Sequence, residues 1–147
     1  MNEQRSAWEA ALKWLERADR SEAELSNYLA SKGYSEAEVH EVLLKVKKFN
    51  YINNHNLKAR LEAHLSSQLS GPLKIQEHLT KRGLDAEIES PPGQAEALQL
   101  LNKKFVSIRL TQDPKKIARA ARFLAAKGYT EEDIEQAIQA FFTQIDW

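Results

Sequence analysis

The sequence predicts an all-α protein of three tandem three-helix, helix-turn-helix-like repeats in an elongated, curved arrangement. Three observations predict it. Apolar residues recur with helical period along almost the whole chain, and no run alternates with period two long enough to make a strand. Helix starts are marked by capping residues. A short phrase containing glycine returns three times, as LASKGYSEAEV (29–39), LTKRGLDAEI (79–88) and LAAKGYTEEDI (124–134).

Taken in order, Trp8, Ala11, Leu12 and Leu15 stand at i, i+3, i+4 and i+7 and predict a first helix over 7–18. Ser21 with Glu24 and Ser35 with Glu38 form capping boxes, in which each side chain satisfies a free amide at a helix start. The first box opens a helix that ends at Gly33. The second opens one carrying Val39, Val42, Leu43 and Val46. Leu57, Leu61, Leu65 and Leu69 predict a helix over 54–68, and Gly71-Pro72 breaks the chain after it. The next helix runs to Gly83. A further helix is expected beyond it, although its start is one residue shorter than its counterparts and lacks a Ser or Thr cap. Ser90-Pro91 and Asp113-Pro114 each set a capping side chain before a proline that needs no amide partner. Leu98, Leu101, Phe105 and Ile108 share a face of a helix over 94–108. Thr130 with Asp133 imitates a capping box ahead of Ile134, Ala137, Ile138 and Phe141. Roughly nine short helices result.

The glycines of the repeated phrase, Gly33, Gly83 and Gly128, have a common task. Glycine ends a helix in the left-handed conformation, and the next apolar side chain packs back on that helix's last turn. One amphipathic helix precedes each pair, which gives repeats over 1–50, 51–90 and 91–147. Each repeat buries little core alone. Stacked end to end, such units offer long faces that bind extended partners rather than enclosing small substrates. Trp8 lies on an apolar stripe and reads as core. Trp14 falls about 110° from that stripe, so it either packs on a neighbouring helix, the favoured reading, or marks a contact surface.

Composition limits the remaining possibilities. The chain has 147 residues, 42% apolar and 29% charged, with five Gly and four Pro. That excludes a disordered, collagenous or disulfide-scaffold protein. Without Cys there is no disulfide, thiol nucleophile or thiolate metal site. No window reaches the roughly 18–20 apolar residues of a membrane span. The start of the chain lacks a signal peptide's apolar run, so the expected location is the cytoplasm.

Twenty-one basic residues balance twenty-one acidic ones, but the charges are segregated. Residues 1–44 carry a net charge of −4, residues 45–97 +2, residues 98–128 +7 and residues 129–147 −5. Blocks of this kind mark a molecule with a basic face and an acidic face. Catalysis has no support. His40, His55, His64 and His78 show no HxxxH or HExxH spacing, so no metal site is expected. The run Glu131-Glu132-Asp133 sits in a first helical turn, where it offsets the helix dipole. Phosphate-loop, dinucleotide and nucleophile-elbow motifs are absent from the sequence. No cofactor is implied, and the chain reads as a non-enzyme.

Lys115, Arg119 and Arg122 fall at i, i+4 and i+7 on one side of the helix opened by Pro114, with Lys116 beside them and Ile117, Ala121 and Leu124 opposite. Lys103, Lys104 and Arg109 precede this stripe. A merely solvated face usually interleaves signs, so an anionic contact and a solvated face are comparable readings here. Lys45, Lys47, Lys48, Lys58 and Arg60 form a smaller cluster, read as a solubility feature. Base reading in a DNA groove is disfavoured. The helices after Gly33 and Gly128 open with SEAE and TEED, which phosphates repel. Two non-enzymatic classes remain open on the residues alone: a sequence-nonspecific nucleic-acid binder, and a helical scaffold whose basic stripe is neutralised by its acidic units.

Four phrases in order resemble RecX, the bacterial regulator of the RecA recombinase, over most of the chain. LERADRSEAELSNYLASKG (15–33) is similar to the family's opening pattern, and FNYINNHNLKA (49–59) to its junction. SGPLKIQEHLTKRGL (70–84) resembles its middle phrase and ARFLAAKGYTEEDIEQAI (121–138) its closing repeat. Asn50 stands where Gly is common, and Asn also accepts positive φ. Asn53 and Asn54 replace acidic residues, Lys74 replaces Arg, and His78 replaces Glu. The resemblance implies a regulator that lies in the groove of a RecA filament on single-stranded DNA. It would inhibit ATP hydrolysis and strand exchange and limit filament growth. It implies no active site, a monomer, and only weak or nonspecific contact with free DNA. Carried to this chain, the implied filament and DNA contacts are Lys74, Lys81 and Arg82 in the middle repeat and Lys115, Lys116, Arg119 and Arg122 in the last, each electrostatic rather than base-reading.

Overall fold

The capping signals decide where the helices begin. In the computed structural model, which describes residues 5–142, the hydroxyls of Ser21 and Ser35 accept the amides of Glu24 and Glu38 at 3.1 and 3.2 Å. Each glutamate returns a bond to its serine's amide. These boxes open α2 (Glu22–Ser31) and α3 (Glu36–Lys48), and Ser6 caps α1 (Ala7–Leu15). Then follow α4 (Asn54–Ser67), α5 (Pro72–Lys81), α6 (Gln94–Lys104), a 3₁₀ turn at Val106–Ile108, α7 (Pro114–Ala126) and α8 (Glu131–Phe142). Among the described residues every regular element is helical. The fold is an all-helical repeat.

The three glycines end α2, α5 and α7 as the phrase requires, with φ of 93°, 70° and 95°. In each turn the amide after the glycine donates back to the helix: Tyr34 to Leu29, Leu84 to Leu79 and Tyr129 to Leu124. Asn50 takes positive φ as well, at 57°.

Two expectations fail locally. Residues 84–93 form no helix, so the middle repeat has two helices rather than three. Asp85 stands at the capping position after Gly83, but its carboxylate pairs with Lys58 at 3.4 Å and no helix follows. The Ser90-Pro91 signal is likewise unused. α6 starts at Gln94 behind Gly93, whose amide donates to Glu96 Oε1 at 3.1 Å.

The helices assemble into two units. One takes the chain up to Leu61 together with Leu79–Asp85, the other Glu62–His78 together with the chain from Ala86 onward. Helices α4 and α5 contribute residues to both. The first unit's core is Ala7, Ala10, Ala11, Leu25, Leu29, Val39, Val42, Val46 and Ile52. Trp14 packs on a neighbouring helix as expected, stacking on Tyr28 at 4.2 Å. Trp8 is half-buried rather than core, and its ring lies near the exposed Phe49 and Tyr51. In the second unit α6, α7 and α8 enclose Ala97, Leu100, Leu101, Phe105, Ala120, Leu124, Tyr129, Ala137, Phe141 and Phe142.

Candidate nucleic-acid and filament interface

Helix α7 begins where Asp113 accepts the Lys115 amide at 3.0 Å and Pro114 takes the first helical position. Its apolar side is fixed in the second unit's core by Ala120 and Leu124, both fully buried, with Ile117 and Phe123 packed alongside. The buried line runs through Ala120 rather than Ala121. At 100° per residue this turns Lys115, Arg119 and Arg122 to the outside, and all three are exposed together with Lys116. Among the described residues none of these four side chains has a hydrogen bond or an ion pair.

The other basic candidates have different surroundings. Lys104 lies over the Phe123 ring, 4.3 Å from its centroid, and Arg119 stands across an open cleft of about 280 Å³ floored by Phe105, Ile108 and Phe123. Lys127, the basic residue before Gly128, donates to the Gln68 carbonyl at 3.3 Å. Its ammonium is held below the usual lysine range, first by burial and then by the like charges of Lys74 and Lys104. The second unit therefore gathers Lys74, Lys104 and Lys127 beside the α7 stripe. Lys127 was overlooked in the sequence, although every copy of the repeated phrase carries a basic residue before its glycine.

Arg82 is engaged within the first unit. Its Nε and Nη2 reach the two carboxylate oxygens of Glu24 at 3.1 and 3.0 Å, and Nη2 also donates to the Asp19 carbonyl at 2.9 Å. Burial pushes the Glu24 carboxyl up, but the bonds from Arg82 and the Ser21 amide, with the Arg82 charge, outweigh it and hold it below the ordinary value. That geometry is a structural clamp. Lys81, next to it, is exposed. Lys81 and Arg82 thus belong to the first unit and Lys74 to the second.

Three of the five residues of the smaller basic cluster are paired with carboxylates where they sit. Lys47 pairs with Glu22 at 3.2 Å, Lys58 with Asp85 at 3.4 Å and Arg60 with Asp19 at 2.5 Å. Lys45 and Lys48 lie over the rings of Trp8 and Phe49. Among the described residues no three His, Asp or Glu side chains are placed to hold a metal ion. No helix among them is long and apolar enough to cross a membrane. What α7 offers is a row of exposed positive charge without partners among the described residues, suited to phosphates or carboxylates.

Comparison with known proteins gives concordant results. A description of the first three-helix domain of RecX matches residues 7–45, and one of its third three-helix domain matches residues 94–138. A protein of Vibrio parahaemolyticus named regulatory protein RecX is 30% identical over 141 residues, with 90% of each chain covered. Its namesake in Caldanaerobacter subterraneus is 28% identical over 141 residues, covering 92% of this chain and 71% of that one. Among solved structures, RecX from Lactobacillus salivarius superposes with a TM-score of 0.71 at 20% identity, over 92% of this chain and 94% of that one, and so shares the fold.

Proposed function

The chain belongs to the RecX family, and on that premise we propose that it is a cytoplasmic regulatory protein that binds RecA filaments on single-stranded DNA. Its effect is to inhibit RecA's ATP hydrolysis, strand exchange and filament growth in recombination, DNA repair and the SOS response. It acts as a monomer, without cofactor and without chemistry of its own. The observation that carries this reading is the α7 face. Lys115, Lys116, Arg119 and Arg122 stand exposed and unneutralised among the described residues, on a helix held firmly by its other side. Like charges on one rigid face repel each other, and an anionic partner relieves that repulsion. Lys74 adds to this face within the second unit, and Lys81 is a separate electrostatic contact on the first. Arg82 acts indirectly, by holding α5 against α2.

The same face supports a second reading, a sequence-nonspecific nucleic-acid binder unrelated to RecA. The two differ in salt dependence and in target. Free-DNA binding through three to four phosphates weakens steeply with salt, with a slope of about −0.7 per contact on single strands. The test is steady-state ATP hydrolysis by RecA on excess single-stranded DNA as this protein is added. Inhibition at far fewer copies than RecA, lost when Lys115, Arg119 and Arg122 are changed together to Glu, is the expected result. If the triple variant inhibits and binds as the unaltered protein does, the α7 assignment is wrong.

A further inference from the structure

The turn that ends α3 departs from its glycine counterparts. Asn50 takes the left-handed position there, and the Tyr51 amide donates back to the Val46 carbonyl at 2.8 Å. After Gly83 and Gly128 the next residue, Leu84 or Tyr129, is buried. After Asn50 that place passes to Ile52, while Tyr51 is 55% exposed and Phe49, just before the turn, 52% exposed. The two rings do not stand singly. Their centroids lie 5.7 Å apart. The half-buried Trp8 of α1 lies 6.2 Å from Phe49 and 6.1 Å from Tyr51, its plane 28° from that of Tyr51.

Two ammonium groups stand over this cluster. Lys45 lies 5.4 Å from the centre of the Trp8 ring and Lys48 6.0 Å from that of Phe49. Both lysines are exposed, and among the described residues neither pairs with a carboxylate. Lys47 between them is taken by Glu22. The helix dipole accounts for lysines in a last turn. It does not account for two rings left in water beside them, and neither Phe49 nor Tyr51 belongs to the first unit's core. The other charges of α3 sharpen the contrast. Glu36, Glu38 and Glu41 stand in its first half, so a polyanion is drawn to the end that carries the rings.

A flat ring beside a cation complements a flat ring beside an anion. Single-stranded nucleic acid repeats that pair, since every nucleotide brings a base with open π faces and a phosphate. In a duplex those faces are closed by the neighbouring base pairs. An apolar protein segment laid on the rings would bury two ammonium groups without counter-charges, which is costly. We propose that Phe49 and Tyr51, backed by Trp8, are a stacking platform for the unpaired bases of a single-stranded nucleic acid, whose phosphates Lys45 and Lys48 receive. The site lies in the first unit and uses none of the α7 residues. It goes beyond the reading of the chain as a RecA regulator and does not depend on it.

The probes are a fluorescent oligothymidylate of about 16 nucleotides, within the span of one binding module, and an abasic oligomer of the same length. By fluorescence anisotropy at low salt, the unaltered protein should hold oligothymidylate about tenfold more tightly than the abasic oligomer. Oligouridylate should behave as oligothymidylate does, because stacking does not read the 2′-hydroxyl. Phe49→Leu with Tyr51→Leu keeps apolar bulk and removes the flat faces. It should erase the preference while leaving helicity and melting temperature unchanged, whereas Phe49→Tyr with Tyr51→Phe should retain it. Lys45→Gln with Lys48→Gln should weaken both probes and lower the salt slope by about 0.7 per lysine. Should leucine impair folding, this exposed lysine pair decides, and an unchanged slope overturns the proposal. Equal affinity for base-bearing and abasic oligomers, or a preference that survives the leucine variant, overturns it as well. So does self-association lost in the leucine variant, which would show that a second copy covers the rings. RecA inhibition lost there with oligothymidylate binding intact would mark a protein contact instead, and refutes a base platform. Neither probe involves RecA, so a failure of the regulator reading leaves this result standing.

Discussion

Replacing Arg82 by alanine tests whether this residue holds the fold together or touches a partner. Its guanidinium makes two charge-assisted bonds to Glu24 and one to the Asp19 carbonyl, with the Arg82 and Glu24 side chains 29% and 22% exposed. The pair lies between the surface case, worth about 0.2–1 kcal/mol, and the buried case, where breaking the pair costs about 3–5 kcal/mol. A coupling of about 1–2 kcal/mol follows, measured by urea unfolding of the unaltered protein, Arg82→Ala, Glu24→Ala and the double variant. Melting should fall by about 2–8 °C for Arg82→Ala. The sign of the pH dependence is fixed by Glu24. Its folded pKa lies below the ordinary 4.5, so its stabilisation is complete above that value and is lost as pH falls through the folded one. The coupling should therefore vanish in acid. The clamp is refuted if Arg82→Ala melts like the unaltered protein while losing its effect on RecA, an outcome that would make Arg82 a partner contact.

Two further outcomes are expected. Tyr129 donates its hydroxyl to the Leu69 carbonyl at 2.7 Å, and Tyr129→Phe strands that acceptor at a cost of about 1–2 kcal/mol at neutral pH. The phenol is pushed up to about 12, first by burial and then by Glu96 and Asp133. Between pH 10 and 12 the unfolded phenol therefore loses its proton first, and stability falls by up to about 3 kcal/mol as pH rises. The gap between the two proteins should thus narrow in alkaline unfolding curves, and parallel curves would contradict the assignment. Lys127, whose amine is lowered, works the other way in both proteins and cancels from the difference. Gly71→Ala meets the Gly128 backbone at 2.4 Å although its own φ is ordinary, so a loss of about 1–3 kcal/mol would report the tightness of the α5–α7 joint alone.

The parts of the fold visible in the sequence are those with a local cause. Capping boxes at Ser21 and Ser35, the three left-handed glycines and the α7 stripe each depend on residues within one or two turns of one another, and each is where the sequence places it. Leu69 was not legible. It adopts φ 58°, which leucine disfavours, because its side chain packs on the second unit's core and its carbonyl receives Tyr129. The missing helix after Gly83 was half legible, since its shortened start was visible but the pairing of Asp85 with Lys58, 27 residues away, was not. For the site, the sequence supplies the cations and not their partners. Arg82 and Arg122 read alike in one dimension. Only the fold brings Glu24, 58 residues away, to the first and leaves the second without a partner among the described residues.

That contrast bears on why the α7 stripe calls for an external partner. Wherever else this chain groups basic side chains, the fold accounts for most of them. Arg82 clamps two helices, Lys47, Lys58 and Arg60 have carboxylates, and Lys45 and Lys48 cover aromatic rings. The α7 residues have apolar neighbours on one side and water on the other. Four cations there weaken the folded state through mutual repulsion and contribute nothing to its core, which Ala120 and Leu124 secure from the opposite face. Substituting them should therefore leave stability unchanged or raise it while reducing binding, whereas substitutions at the clamp reduce stability first. A loss of binding without a loss of stability is what separates an interface residue from one that holds the interface in place.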